Sequence, residues 1–288
     1  MIELLQYNFI QHALIAAVLV SIVAGIIGVL VVTNRLVFLS GGIVHTAYGG
    51  VGLAFYAGTA VMPTTLVFTS INALLLGALS QRKLEQLDIF IGLIWSLGMA
   101  IGIILMALTP GYGADLSSYL FGSILTVPVS TLYLMGGSVL IIGAYTIYNY
   151  RSLVLMSFDA DFAQSKGVKV KRMYLSLLVL VAIASVILVK VVGIVLVMAL
   201  LTMPAYMAAQ YTKSMLSMMC HSILWCLGFT LTGLIFSYQM NLPSGATIVV
   251  NASICLALQL GLREILSHFG HPWSFSNIIH DSFYIAPR

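Results

Sequence analysis

The chain has 288 residues, of which 61% are hydrophobic and only 7% are charged, and its net charge is +4. Soluble globular domains carry about 25% charged residues, so this composition excludes a soluble protein and predicts one that lies in a lipid bilayer. In such a protein the position of each lysine and arginine is more informative than their sum, so the positive charge does not predict a nucleic-acid partner.

Apolar runs of about 20 residues, the length that a helix needs to cross a bilayer, recur along the whole chain. They predict an all-α, polytopic transmembrane helical bundle of eight or nine spans. Nine candidate spans are 9–33, 36–58, 61–80, 88–109, 128–148, 173–189, 192–210, 217–239 and 245–264. Almost nothing separates the sixth span from the seventh around 189–192, so one of them could be a half-helix beside a cavity.

The basic residues fix the orientation of the spans. With the N-terminus outside, eleven of the twelve lysines and arginines fall on the cytoplasmic side. Lys190 alone falls outside, where its stem can lie along apolar surface with the ammonium among the headgroups. This bias favours an odd number of spans. The cytoplasmic cations are Arg35, Arg82, Lys83, Arg151, Lys166, Lys169, Lys171, Arg172, Lys213, Arg263 and Arg288.

The second predicted span carries one histidine among small residues. Gly41, His45, Gly49 and Gly52 are spaced so that they share one stripe of a helix. Small residues let membrane helices approach closely, so one interpretation is a packing face whose histidine bonds to a neighbouring helix. The other is a transport path, because ionisable groups in membranes are costly and mark substrate pathways, and neutral imidazole binds transition metals.

The longest predicted cytoplasmic loop is 149–172. Its middle predicts a short amphipathic helix that begins near Asp159 and ends at Gly167, which would cap its C-terminus.

The three cysteines, Cys220, Cys226 and Cys255, all fall in predicted spans without the paired spacing of a disulfide framework or a zinc site. We therefore interpret them as small buried hydrophobic residues and expect no covalently bound cofactor.

The spans define a permease domain over 1–265 and a cytoplasmic tail over 266–288. The tail carries His268, His271 and His280, and an H-x-x-H spacing can chelate a metal. A regulatory metal site and a tail anchored at the interface by its aromatic residues both fit this pattern.

Four blocks of sequence resemble the integral membrane subunits of ABC importers for zinc, manganese or iron, the ABC-3 type. They are SGGIVHTAYGGVG at 40–52, DLSSYLFGSIL at 115–125, KVVGIVLVMALLTMPA at 190–205 and NLPSGATIVV at 241–250. The resemblance covers nearly the whole chain, with the blocks in the family's order. It implies a fold of the type II ABC importer class in a bacterial or archaeal cell membrane.

The resemblance also implies site residues. His45 matches the family's metal-ligating histidine, and on the transport-path interpretation Gly41, Gly49 and Gly52 of the same stripe would line the translocation path. Family members commonly have an acidic residue one turn before this histidine, where this chain has Gly41. A missing carboxylate should weaken manganese binding more than zinc binding.

The same resemblance implies partners: a second permease copy, two ABC ATPase subunits and an extracytoplasmic metal-binding protein. Two segments are candidates for contact with the ATPase. One is 158–170, with Asp159 and Gly167. The other is 204–216, with Pro204, Ala208 and Gln210, and we favour this second segment.

The sequence contains no G-x-x-x-x-G-K-[ST] phosphate loop and no H-E-x-x-H motif, so we expect a transport subunit and not an enzyme. The alternatives are a gradient-driven carrier or channel and a structural subunit. Carriers usually place carboxylates inside their spans, and the centres of all nine spans lack Asp and Glu. This absence favours a permease driven by an external motor.

Overall fold

The computed structural model describes residues 8–81, 86–109, 122 and 124–268 of the chain, and all regular structure in these ranges is helical. Nine α-helices and one short 3₁₀ turn, Ile124–Thr126, follow one another within the described part. The helices are α1 (Asn8–Thr33), α2 (Val37–Tyr56), α3 (Val61–Ser80), α4 (Leu87–Ala107), α5 (Val129–Phe158), α6 (Ala160–Ser165), α7 (Val170–Ala209), α8 (Met215–Met240) and α9 (Ser244–His268).

Eight of the described helices, all except the six-residue α6, are long and apolar enough to cross a membrane. This confirms the predicted all-α membrane bundle. α1, α2 and α7 are the most buried of them and form the core, whereas the other five lie at the periphery and expose large apolar side chains. Exposed apolar surface of this extent is expected where a helix faces lipid or another membrane subunit.

Helix α7 is two membrane-crossing segments joined at Gly193. Its 40 residues would span about 60 Å if straight, twice the hydrocarbon thickness. Gly193 has non-helical backbone angles (φ 81°, ψ 162°). The Tyr145 hydroxyl on α5 hydrogen-bonds to Ser176, near the start of α7, and the Tyr150 hydroxyl accepts from the amide of Leu216, in the first turn of α8, which follows α7 after a short connection. Both ends of α7 therefore lie beside the same stretch of α5, and the chain reverses direction at Gly193.

The reversal divides the eight long apolar helices of the described residues into nine membrane-crossing segments. Residues 170–192 and 194–209 correspond to the sixth and seventh predicted spans, and the second segment, at about 24 Å, is the shorter. A Cβ on Gly122 would lie 2.3 Å from backbone atoms of Val192 and Gly193, so Gly122 lies against this turn. Nine crossings put the loops that carry Arg35, Lys213 and the helix-end Arg263 on the predicted cytoplasmic side, and Lys190 on the opposite side.

Candidate metal-ion path

His45 lies on α2, where its ring stacks on the indole of Trp95 from α4. The ring centroids are 4.1 Å apart and the planes differ by 15°. Nδ1 of His45 is buried and has no hydrogen-bond partner among the described residues. Because buried polar atoms are normally paired, an unpaired imidazole nitrogen is a candidate ligand atom for an ion that passes this level of the bundle.

Gly41, one turn before His45, leaves a space that two neighbouring side chains border. A Cβ at this position would lie 2.8 Å from Cε of Met198 and 3.8 Å from the ring of Trp95. The second segment of α7 therefore reaches the histidine-bearing stripe through the thioether of Met198. Phe38 extends the aromatic surface toward the exposed side, with its ring centroid 6.4 Å from that of Trp95.

Gly49 and Gly52 lie two and three turns after Gly41 on α2, and they contact the backbone of α4. A Cβ on Gly49 would lie 2.7 Å from the carbonyl oxygen of Gly98, and one on Gly52 would collide with the carbonyl oxygen and Cα of Gly102. Such contacts let the two helix axes approach closely, as small residues do in membrane helices. The structure thus gives both glycines a packing role, and their role in lining a path stays a prediction.

In the described part of the chain, His45 does not belong to a cluster of three or more metal-ligating side chains, since no three His, Cys, Asp or Glu side chains come together there. The predicted tail site lies outside the described residues, except that α9 reaches His268. A path built on one imidazole per chain binds an ion weakly, which suits a conduit that has to release its cargo.

The three residues named in the segment favoured from sequence for ATPase contact, Pro204, Ala208 and Gln210, lie inside the fold. Ala208 is 0% exposed, Pro204 is buried, and Gln210 is 7% exposed. The Gln210 side-chain oxygen accepts hydrogen bonds from Gln259 and Arg263 of α9, each at 3.2 Å. These side chains hold α7 against α9 and do not themselves reach the cytoplasmic surface.

The other candidate segment is exposed and well formed. α6 is the predicted short helix: Asp159 caps its first turn by accepting from the amide of Phe162, and Gly167 follows its last turn with φ 84°. The amides of Gly167 and Val168 close the C-terminus onto the carbonyls of residues 164 and 163, the Schellman arrangement. Phe162 is 48% exposed, and the ammonium of Lys166 lies 5.3 Å from its ring centroid.

Sequence reasoning missed Trp95 and Met198. Both belong to other helices than His45, so no spacing along the chain connects them with it. Trp95 nevertheless carried a signal, because membrane tryptophans concentrate at the interfaces and this one lies near the middle of α4. Met198 carried none, since an unbranched apolar side chain is ordinary in a span.

Comparisons with known proteins agree with the motif resemblance. Residues 6–262 match the model of the ABC 3 transport family. An uncharacterized membrane protein of Synechocystis, slr2045, is 42% identical over 92% of this chain and 94% of the relative. The manganese transport system membrane protein MntC of Halalkalibacterium halodurans is 33% identical over 89% of this chain and 88% of the relative.

A solved structure of PsaBC from Streptococcus pneumoniae in complex with Fab superimposes with a TM-score of 0.80 at 29% identity, covering 88% of this chain and 92% of that one. An inward-facing putative metal-chelate type ABC transporter shares the fold, with a TM-score of 0.68 at 19% identity, over 86% of this chain and 85% of that one. The predicted family and fold class are confirmed. The chain is a multi-pass membrane protein that belongs to the ABC 3 transport family.

Proposed function

We propose that this chain is the permease of an ABC importer that moves a divalent transition-metal ion, Zn²⁺, Mn²⁺ or Fe²⁺, into the cytoplasm. The observation that carries the proposal is the buried and unpaired Nδ1 of His45 in a chain whose relatives include manganese transport proteins. ATP is hydrolysed by a separate subunit, because this sequence contains no phosphate loop. An extracytoplasmic binding protein delivers the ion.

A gradient-driven carrier is the alternative, and the placement of acidic residues argues against it. In the described ranges these residues are Asp88, Asp159, Asp161 and Glu264, which lie in the first turn of α4, at the start of α6 or near the end of α9. None of them is inside the bundle at mid-membrane. A carrier needs titratable groups there to bind a coupling ion or relay protons.

The working unit is a dimer of identical chains. A lone imidazole is a poor ion site, whereas two copies of His45 that face each other across a two-fold axis would form a two-nitrogen site. The face of α2 and α4 that carries Phe38 and Trp95 is partly exposed, so a second copy has access to this level of the bundle.

α6 is the element that docks into the ATPase, in preference to the segment 204–216. α6 is a short helix with caps at both ends, with Ala163 buried against the bundle and Phe162 projecting outward. Such a rigid element is suited to transmitting a conformational change of the ATPase to the membrane helices. Of the segment 204–216, the buried Pro204 and Ala208 lie out of reach of a partner, which leaves only its exposed positions, such as Tyr211, for contact.

The ion transported follows from uptake measurements with a panel of metals. Vesicles that contain the permease, its ATPase and the binding protein are supplied with radiolabelled Zn²⁺, Mn²⁺ and Fe²⁺, with and without ATP. We expect ATP-dependent uptake that His45→Ala abolishes. The matched control is His221→Ala, because His221 is exposed and its Nδ1 lies 2.8 Å from the carbonyl of Ser217 on the same helix. Uptake without ATP, or uptake that survives His45→Ala, would overturn the assignment.

The two ATPase-contact candidates are separated by two charge substitutions on exposed aromatic residues. Phe162→Glu should prevent co-purification of the ATPase and uncouple ATP hydrolysis from uptake, whereas Tyr211→Glu should leave both unchanged. Both side chains are about half exposed, so neither change disturbs the packed core. The reverse result would assign the contact to 204–216.

A further inference from the structure

A cavity of about 200 Å³ lies between the outer ends of α2, α3 and the first segment of α7. Its walls are mostly apolar and include Ala47, Val51 and Val189, and it is only partly enclosed. Two polar side chains also line it: Thr65 of α3, which is 3% exposed, and Lys190, which is exposed at the outer end of the first segment of α7. The histidine-bearing site does not contribute to it.

The depth of this outer cavity points to a ligand that comes from the bilayer. Ala47 lies nine residues before Tyr56, the last residue of α2, and so about 14 Å inward from the end of the helix. The apolar part of the cavity is therefore at the depth of lipid chains, while Lys190 lies at the level where a lysine ammonium meets the headgroups. A soluble polar ligand would lose its hydration in an apolar site at this depth, whereas a lipid chain would not.

The Thr65 hydroxyl is available to a ligand. Threonine in a helix commonly donates to the carbonyl four residues earlier, and Thr202 and Thr230 of this chain do so at 2.8 and 2.7 Å. Oγ1 of Thr65 has no partner among the described residues although it is buried. An unpaired buried hydroxyl is costly, and an acceptor in the cavity would satisfy it.

We propose that this outer cavity binds one anionic phospholipid of the outer leaflet. The lipid phosphate pairs with the ammonium of Lys190, an ester carbonyl accepts from Thr65, and the first part of an acyl chain fills the apolar space beside Ala47 and Val51. Apolar cavities of about 150 Å³ hold a benzene molecule, so this volume accommodates the beginning of one chain and not a whole lipid. Lys190 is the one lysine or arginine on the outer side among the described residues, so it is the cation there that can pair with a lipid phosphate.

The test is native mass spectrometry of the full chain in detergent, titrated with phosphatidylglycerol or phosphatidylcholine. We expect Lys190→Gln to weaken phosphatidylglycerol binding about fivefold and Lys190→Arg to preserve it. Thr65→Val should weaken binding of both lipids, since both carry ester carbonyls. Thr69→Val is the matched control: its hydroxyl is also buried and unpaired, one turn deeper, but it does not line the cavity.

Three results would overturn the proposal. The first is unchanged lipid binding in Lys190→Gln and Thr65→Val. The second is displacement of phosphatidylglycerol by millimolar glycerol 3-phosphate, which would indicate a site for soluble phosphates. The third is a Lys190→Gln variant that keeps its lipid but loses affinity for the binding protein, which would assign Lys190 to protein docking. The outcome is independent of whether His45 carries metal.

Discussion

The glycines of α2 and those of α5 lie in opposite surroundings. Gly42, Gly49, Gly50 and Gly52 of α2 are buried, and at each of them an added Cβ would approach an atom of a neighbouring helix to 2.9 Å or less. Gly136, Gly137 and Gly143 of α5 meet nothing within 4 Å. In α2 the missing side chains set the distance between helices, whereas in α5 they leave a smooth surface for lipid or another chain. Glycine content alone therefore does not distinguish a packing face from an open one.

The largest effect that this comparison predicts is that of Gly52→Ala. The new Cβ would meet the backbone of Gly102, which cannot rotate away as a side chain could, so α4 would have to shift. We expect the free energy of unfolding to fall by about 3 kcal/mol, the upper part of the range for overpacking. Thermal unfolding of purified protein in detergent measures it, with Gly137→Ala as the control. Equal melting temperatures for the two variants would refute the distinction between the helices.

Gly193 is required for its backbone angles and not for close helix packing, and its substitution should cause the next largest loss of stability. Its φ of 81° and ψ of 162° lie in a region that is open essentially to glycine alone, and the reversal of α7 depends on it. Gly193→Ala should cost about 2 kcal/mol, within the range for such backbone strain. Gly92→Ala, at a helical position with nothing within 4 Å, is the control. A Gly193→Ala protein as stable as this control would mean that the turn tolerates a side chain.

Most of the fold could be predicted from the sequence because the length of an apolar run is a local property. The predicted span 61–80 coincides with Val61–Ser80, and 9–33 differs from Asn8–Thr33 by one residue. The prediction for the fifth span was wrong at its inner end. The span was predicted to stop at 148, whereas α5 continues to Phe158. Ten further residues keep helical geometry beyond the apolar run because Leu153 and Met156 pack against the core.

The candidate site could be predicted only in part, and the reason is physical. The stripe of His45 and its glycines is a property of one helix, visible as a spacing. Trp95 and Met198 reach the same place from α4 and α7, and contacts between helices leave no local pattern. Burial is equally non-local, so the sequence could not reveal that Ala208 is enclosed while Phe162 is exposed.

Gly41→Asp should change ion selectivity, and the bulk that it adds should affect stability less than either change above. The nearest atom to the new Cβ is the methyl end of Met198, a flexible side chain that can move aside, so we expect the uncharged and equal-sized Gly41→Asn to change the unfolding free energy by less than about 1 kcal/mol. The buried carboxylate of Gly41→Asp adds a desolvation cost of its own. The added carboxylate beside His45 should raise Mn²⁺ uptake severalfold relative to Zn²⁺, because carboxylates suit manganese. Gly41→Asn, of equal size without the charge, is the control. An unchanged Mn²⁺ to Zn²⁺ ratio would remove Gly41 from the path.

The smallest change in stability is expected for the glycines of α5 that have no neighbouring atom within 4 Å. Gly136→Ala and Gly143→Ala meet no neighbouring atom, and alanine favours the helix over glycine by up to about 1 kcal/mol in water. Each should therefore raise the thermal unfolding temperature slightly in detergent. The same variants test whether α5 faces lipid in the assembled transporter, because a Cβ that meets only lipid leaves the dimer intact. If either alanine lowers the fraction of dimer in crosslinking experiments, the smooth face of α5 is covered by a second chain, and its glycines set a helix distance after all, as those of α2 do.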